Sequence, residues 1–133
     1  MSCLSWNCRG LGNPGVVREL RNIVKQEAPD LLFVMETKIV AVRFERLQNQ
    51  LGFAGCFAVS SSGLSGGIGL FWKADLDVDL MTYSAGHIDV RVRRKSNGSK
   101  VWRVTGFYGA PRAEERHIRW NLLRTLYAVQ HER

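Results

Sequence analysis

Five consecutive apolar residues, Leu31-Leu32-Phe33-Val34-Met35, stand between Pro29-Asp30 and Glu36-Thr37-Lys38. A run without polar alternation fits a strand covered on both faces. It is the longest apolar run in the chain and far too short to span a bilayer. The rest of the sequence must therefore supply layers to cover that strand, and its first half has the right pieces. Asn13 sits where an N-cap belongs, Pro14 fits the first helical position, and Val16, Val17, Leu20, Ile23 and Val24 recur at helical spacing. This predicts a helix over 14–27, stopping before Pro29. A second helix is predicted over 39–51, with Val40, Phe44, Leu47 and Leu51 on one stripe and Gly52 as its stop.

Beyond Gly52 the period changes to two. Strands are expected at 52–59 and 67–72, around a Ser/Gly-rich loop, and at 76–82, 87–94 and 100–108, after earlier ones at 3–6 and 31–35. Asp75 to Leu80 and His87 to Arg93 alternate, which predicts polar residues outward and aliphatics inward. Asn97-Gly98 is a type I′ turn signal joining the last two strands. A third helix is predicted over 113–130, with Ile118, Leu122, Leu123, Leu126 and Val129 on one face. No linker or repeat interrupts residues 1–133, so the fold class is a one-domain α+β layered sandwich.

The composition agrees with a packed core: 45% of the 133 residues are apolar and 23% charged, which excludes a disordered chain. Net charge is +7, with residues 1–89 at −1 and residues 90–133 at +8. A basic block of that kind suits a polyanion such as nucleic acid, and equally a solvated face with its acidic complement elsewhere. Cys3, Cys8 and Cys56 form no CxxC pair and read as reduced thiols packed as small hydrophobes. The N-terminus has neither a basic stretch nor a long apolar one, so no secretory signal is expected and the protein reads as intracellular. Asn97-Gly98-Ser99 is then a turn rather than a glycan site.

Three motifs fall at ends of predicted strands: Trp6-Asn7-Cys8-Arg9-Gly10, Met35-Glu36-Thr37-Lys38 and Gly106-Phe107-Tyr108-Gly109-Ala110-Pro111. Strand ends deliver side chains to a shared cleft while the core stays packed. Glu36 terminates a buried run, where a carboxylate is costly unless paired or holding a cation, and Mg²⁺ prefers oxygen ligands. Taken alone, Glu36 reads as a cap or ion-pair residue, Asn7 as a turn residue and Tyr108 as a half-buried strand residue.

As an ordered set, with the GGIGLFW and HIDV strands between them, these motifs resemble the endonuclease/exonuclease/phosphatase superfamily. The nearer resemblance is to the apurinic-type endonuclease domain of plant LINE (non-LTR) retrotransposons. The resemblance implies a DNase I-like four-layer sandwich, of which residues 1–133 would be the N-terminal part, and a metal-dependent phosphodiester hydrolase acting on DNA in the nucleus. It further implies that Asn7 orients groups around the phosphate, Glu36 binds Mg²⁺ or Mn²⁺, and Tyr108 donates a hydrogen bond to the scissile phosphate. Arg9, Lys38 and Arg112 are expected to contact the nucleic acid. No small-molecule cofactor and no membrane partner are expected.

Two departures stand out. Arg9 occupies a place where many apurinic endonucleases carry Asp, and an arginine cannot ligate a metal. The sequence also contains no Gly-Asp-x-Asn and no Asp-His, the later motifs of the family. His87, on a strand, and His117 and His131, on the terminal helix, join no carboxylate motif and read as structural or solvent-facing. Gly66-Gly67-Ile68-Gly69 eases the start of a strand rather than binding a nucleotide. Other readings are a phosphoesterase for another substrate, a non-catalytic nucleic-acid-binding protein working through Arg91 to Arg103 and the terminal helix, and a relic. With the family's later half absent, Val34, Leu70, Val90 and Val104, read as inward residues of the first sheet, are expected to lack cover and to promote self-association. Groups that act as a unit fail as a unit. Purified residues 1–133 are therefore expected to leave supercoiled and abasic DNA intact in Mg²⁺; robust nicking abolished by Glu36→Ala would contradict this.

Overall fold

In the computed structural model, residues 1–60, 66–96, 100–108 and 130–132 are described. They form two compact units, Met1–Ala74 and Asp75–Arg133. In the first unit the strands are β1 (Cys3–Asn7), β2 (Leu31–Met35), β3 (Gly55–Val59) and β4 (Ile68–Trp72), in the order β1-β2-β4-β3. β1 and β2 are parallel, and the crossover between them is helix α1 (Pro14–Glu27). The other two pairings are antiparallel. All five residues of β2 are buried, as their continuous apolarity predicts.

Both ends of α1 match the sequence signals. Asn13 Oδ1 accepts from the Gly15 N–H at 2.8 Å, and Ala28 adopts a left-handed conformation that ends the helix before Pro29. Of its apolar stripe, Leu20 is fully buried and Val16, Val17 and Val24 pack at the margin of the same core. The second helical segment is a 3₁₀ turn (Ala41–Arg43) leading into α2 (Phe44–Leu51). Phe44, Leu47 and Leu51 are buried as expected, but Val40 is not: it lies in extended backbone before the turn and is 51% exposed. The Phe44 ring stacks on Phe71 at 5.4 Å, and Phe53 stacks on the same ring at 5.7 Å. Gly69 makes this possible, because a Cβ there would fall 2.2 Å from the Phe44 ring. Residues 52–54 are not strand, contrary to expectation. Gly52 caps α2 at φ +79°, and the chain joins the sheet only at Gly55.

The second unit is a sheet of β5 (Leu76–Ser84), β6 (His87–Arg94), β7 (Val101–Phe107) and β8 (Gln130–Glu132), antiparallel in that order. The expected helix at 113–130 lies outside the described residues except at its last position. Residue 130 opens a strand there, so His131 pairs opposite Trp102 instead of riding on a helix. Val34 and Leu70 belong to the first sheet and Val90 and Val104 to the second. All four are buried, so the expected lack of cover at these positions is not met.

Alternation fails at two places in this sheet. A bulge between Leu80 and Thr82 leaves Leu80 and Met81 exposed. Asp89, expected to face outward, is buried; Arg103 Nε and Nη2 reach its carboxylate, with Nε 3.1 Å from Oδ1, and Thr82 and Thr105 also donate to it. These donors, led by Arg103, hold the Asp89 carboxyl below the ordinary carboxylate range, although burial acts the other way. A carboxyl depressed on folding stabilises above its unfolded pKa of about 4, and that contribution is lost as pH falls through the folded value. Asp89→Asn should therefore cost roughly 2 kcal/mol in urea unfolding at pH 7. The gap to wild type should close below about pH 4; a gap unchanged at acid pH would show that the carboxylate's charge is not the cause.

Candidate functional site

The pairing of β1 with β2 sets Asn7 opposite Met35, the last residue before Glu36. It does not stop at the strand ends. Cys8 N–H donates to Met35 O at 2.9 Å, Gly10 N–H to Glu36 O at 2.8 Å and Leu11 N–H to Thr37 O at 2.8 Å. On the other side Thr37 N–H donates to Gly67 O at 3.1 Å and Lys38 N–H to Gly66 O at 3.0 Å. The loops after β1 and β2 are thus stitched to each other and to the residues before β4. Asn7 folds its own loop back, its Oδ1 accepting from the Arg9 N–H at 3.2 Å.

Three non-glycine residues in these loops hold left-handed backbone: Arg9 (φ 54°), Glu36 (φ 53°) and Lys38 (φ 54°). Each such position costs on the order of 1 kcal/mol or more and persists only where its surroundings enforce it; such strain clusters at functional sites. Asn7 and Glu36 are half-buried, whereas Arg9 and Lys38 are exposed, so two cations flank a carboxylate and an amide on neighbouring loops. The Lys38 stem passes over Gly10. Cys8, between Asn7 and Arg9, is a packing residue. Burial is the main cause that pushes its thiol up to about 12, so it stays protonated at neutral pH, and Cys3 is raised by burial to about 11.

Tyr108 belongs to the second unit. It follows β7 half-buried, its N–H bonded to Gly86 O, and a Cβ at Gly86 would come within 2.8 Å of Tyr108 O. Beside it His87 stacks on Phe107 and shares hydrogen bonds with Ser84 and Thr82, which accords with a structural histidine. Arg112 lies outside the described residues. Asn7, Glu36, Arg9 and Lys38 are therefore brought together within one unit, and Tyr108 is held by its own hairpin in the other. Two features escaped the sequence reading: the carbonyls of Gly66 and Gly67 as acceptors for the Glu36 loop, and the buried Asp89 network. Consecutive glycines before a strand are a signal for the first; nothing local marks the second. Among the described residues no group of three or more His, Cys, Asp or Glu side chains is arranged to hold a metal ion.

The endonuclease/exonuclease/phosphatase family matches residues 4–133. Among solved structures, D. rerio TDP2 complexed with single strand DNA product aligns at TM-score 0.60 and 18% identity, over 95% of this chain and 52% of that one. AP endonuclease LMAP from Leishmania major aligns at 0.55 and 17%, over 80% and 39%. The Neisseria 3′ phosphatase NExo (D146N) bound to product DNA hairpin aligns at 0.51 and 17%, over 96% and 51%. These similarities identify the fold as the α+β, DNase I-like type, and the chain spans about half the length of the structures it matches. No curated protein matches.

If the Asn7 carboxamide oxygen sets the loop, Asn7→Ala should lower stability by about 1 kcal/mol, while Asn7→Asp keeps the acceptor and most of the stability. Urea midpoints of the two variants check this, and equal losses would rule the hydrogen bond out as the cause.

Proposed function

Because the chain belongs to the endonuclease/exonuclease/phosphatase family, we propose that it carries the metal-bearing strand ends of a phosphodiester hydrolase that acts on DNA in the nucleus. The observation that supports this most is the stitched β1–β2 loop pair, whose two neighbouring loops carry Asn7 and the exposed Arg9 on one side and Glu36 and the exposed Lys38 on the other. Its finer form is an apurinic-type endonuclease domain of a plant LINE retrotransposon, supported by the wording of WNCRGLGNP, METK and GFYGAP.

The donor set suits a hard cation. Glu36 offers carboxylate oxygens, the neighbouring Cys8 thiol is protonated, and Mg²⁺ commonly takes one or two carboxylates and keeps its waters. Glu36 would hold Mg²⁺ or Mn²⁺, which when bound neutralises charge on the phosphate and leaving oxygen. Asn7 orients groups around the phosphate, its position set by the Asx turn to Arg9. Arg9 and Lys38, with Arg112, attract and position the DNA backbone. Tyr108 donates its phenol hydrogen to the scissile phosphate.

The sequence lacks Gly-Asp-x-Asn and Asp-His, so the decisive test is binding rather than turnover. Mn²⁺ titration followed by electron paramagnetic resonance, with an abasic-site duplex present, should show binding that weakens on the order of tenfold in Glu36→Gln. Unaltered Mn²⁺ affinity in that variant would overturn the assignment.

A further inference from the structure

The arginines of the chain are distributed in an unexpected way. In the basic block the strand arginines are engaged: Arg93 pairs with Asp77, Arg94 with Asp75 and Arg103 with Asp89. The reverse holds in the first unit, where residues 1–74 carry eight Lys/Arg against five Asp/Glu. Arg18 and Arg21 on α1 and Arg43 and Arg46 at the start of α2 line one groove of about 370 Å³. All four are exposed, and none has an ion-pair or side-chain hydrogen-bond partner among the described residues.

The geometry follows from spacing and docking. Arg18 and Arg21 are three residues apart, as are Arg43 and Arg46, so each pair shares one side of its helical segment. Seating of Phe44 against Gly69 brings the second pair across from the first. Four like charges around one groove repel each other, and an anionic ligand that contacts them together removes that repulsion. Guanidinium groups fit phosphate oxygens bidentately. Among the described residues no aromatic side chain lines the groove, so recognition there would be of the backbone and not of stacked bases.

Its position favours nucleic acid over an acidic protein. The groove starts at Leu11 and Ile39, on the same two loops that carry Asn7 and Glu36, and Leu11 is bonded to Thr37 in the stitched pair. We propose that this four-arginine groove is a second, sequence-independent binding track for the phosphodiester backbone of a nucleic acid strand, continuous with the candidate site. The identity of the ligand rests on the function proposed above; the groove itself does not depend on Glu36 or on metal.

The test is fluorescence anisotropy of the full chain with a short labelled single-stranded oligonucleotide in EDTA, across a range of KCl. Four phosphate contacts give a slope of log affinity on log salt of about −2.8, or roughly 50-fold weaker binding between about 50 and 200 mM. R18Q/R21Q and R43Q/R46Q should each flatten the slope by about 1.4 and the quadruple variant by about twice that. The quadruple lysine variant should keep the slope. Glutamine variants should melt at or above the wild-type temperature, since repulsion is removed from an exposed groove. Unchanged affinity and slope in a folded quadruple glutamine variant would overturn the proposal. So would arginine-dependent binding of polyglutamate alongside arginine-independent binding of the oligonucleotide, which assigns the groove to an acidic protein. Failure of the Mn²⁺ experiment alone removes the catalytic reading and leaves the groove standing.

Discussion

β2 is buried along its whole length, and a buried strand must have every backbone N–H and C=O paired. β1 and β4 supply those partners, one parallel and one antiparallel. The same requirement continues past Met35, where Glu36 and Thr37 carbonyls accept from Gly10 and Leu11 and the Thr37 and Lys38 amides donate to two glycine carbonyls. The candidate site is thus an extension of the sheet's hydrogen bonding into its loops. A register slip of one residue would turn every β2 side chain to the opposite face and separate Asn7 from Glu36.

The helical layer rests on a smaller contact with wide consequences. The Phe44 ring lies in the space left by Gly69 and stacks on Phe71, which also receives Phe53. Close packing of this kind tolerates little change of volume, so it determines where α2 lies against the sheet. The position of α2 in turn decides that Arg43 and Arg46 share a groove with Arg18 and Arg21. Charge counted along the chain pointed to residues 90–133. Folding paired the strand arginines there with Asp75, Asp77 and Asp89, and gathered unpaired cations in the first unit instead.

Much of this fold was legible locally. The span of α1 follows from Asn13, Pro14 and the residues before Pro29, and β2 follows from its unbroken apolarity. The misreadings share one physical origin, a neighbour not visible in the local pattern. Val40 fits a helical stripe by spacing, but the chain is still extended there. Asp89 fits an outward position by alternation, yet Arg103 and Thr105 on β7 and Thr82 on β5 make a buried carboxylate sustainable. Leu80 obeys the alternation until a bulge displaces it.

The sequence by itself determined the class of fold and the residue types at the strand ends, because hydrophobic period, caps and glycine positions act over a few residues. It also carried the three motifs, since each is contiguous. Only the tertiary structure decided that the loops after Asn7 and before Lys38 run together, because that depends on a parallel register closed across a fourteen-residue helix. It likewise decided which arginines are paired and which are left facing one groove, because ion pairing depends on distances between strands and helices far apart in the chain.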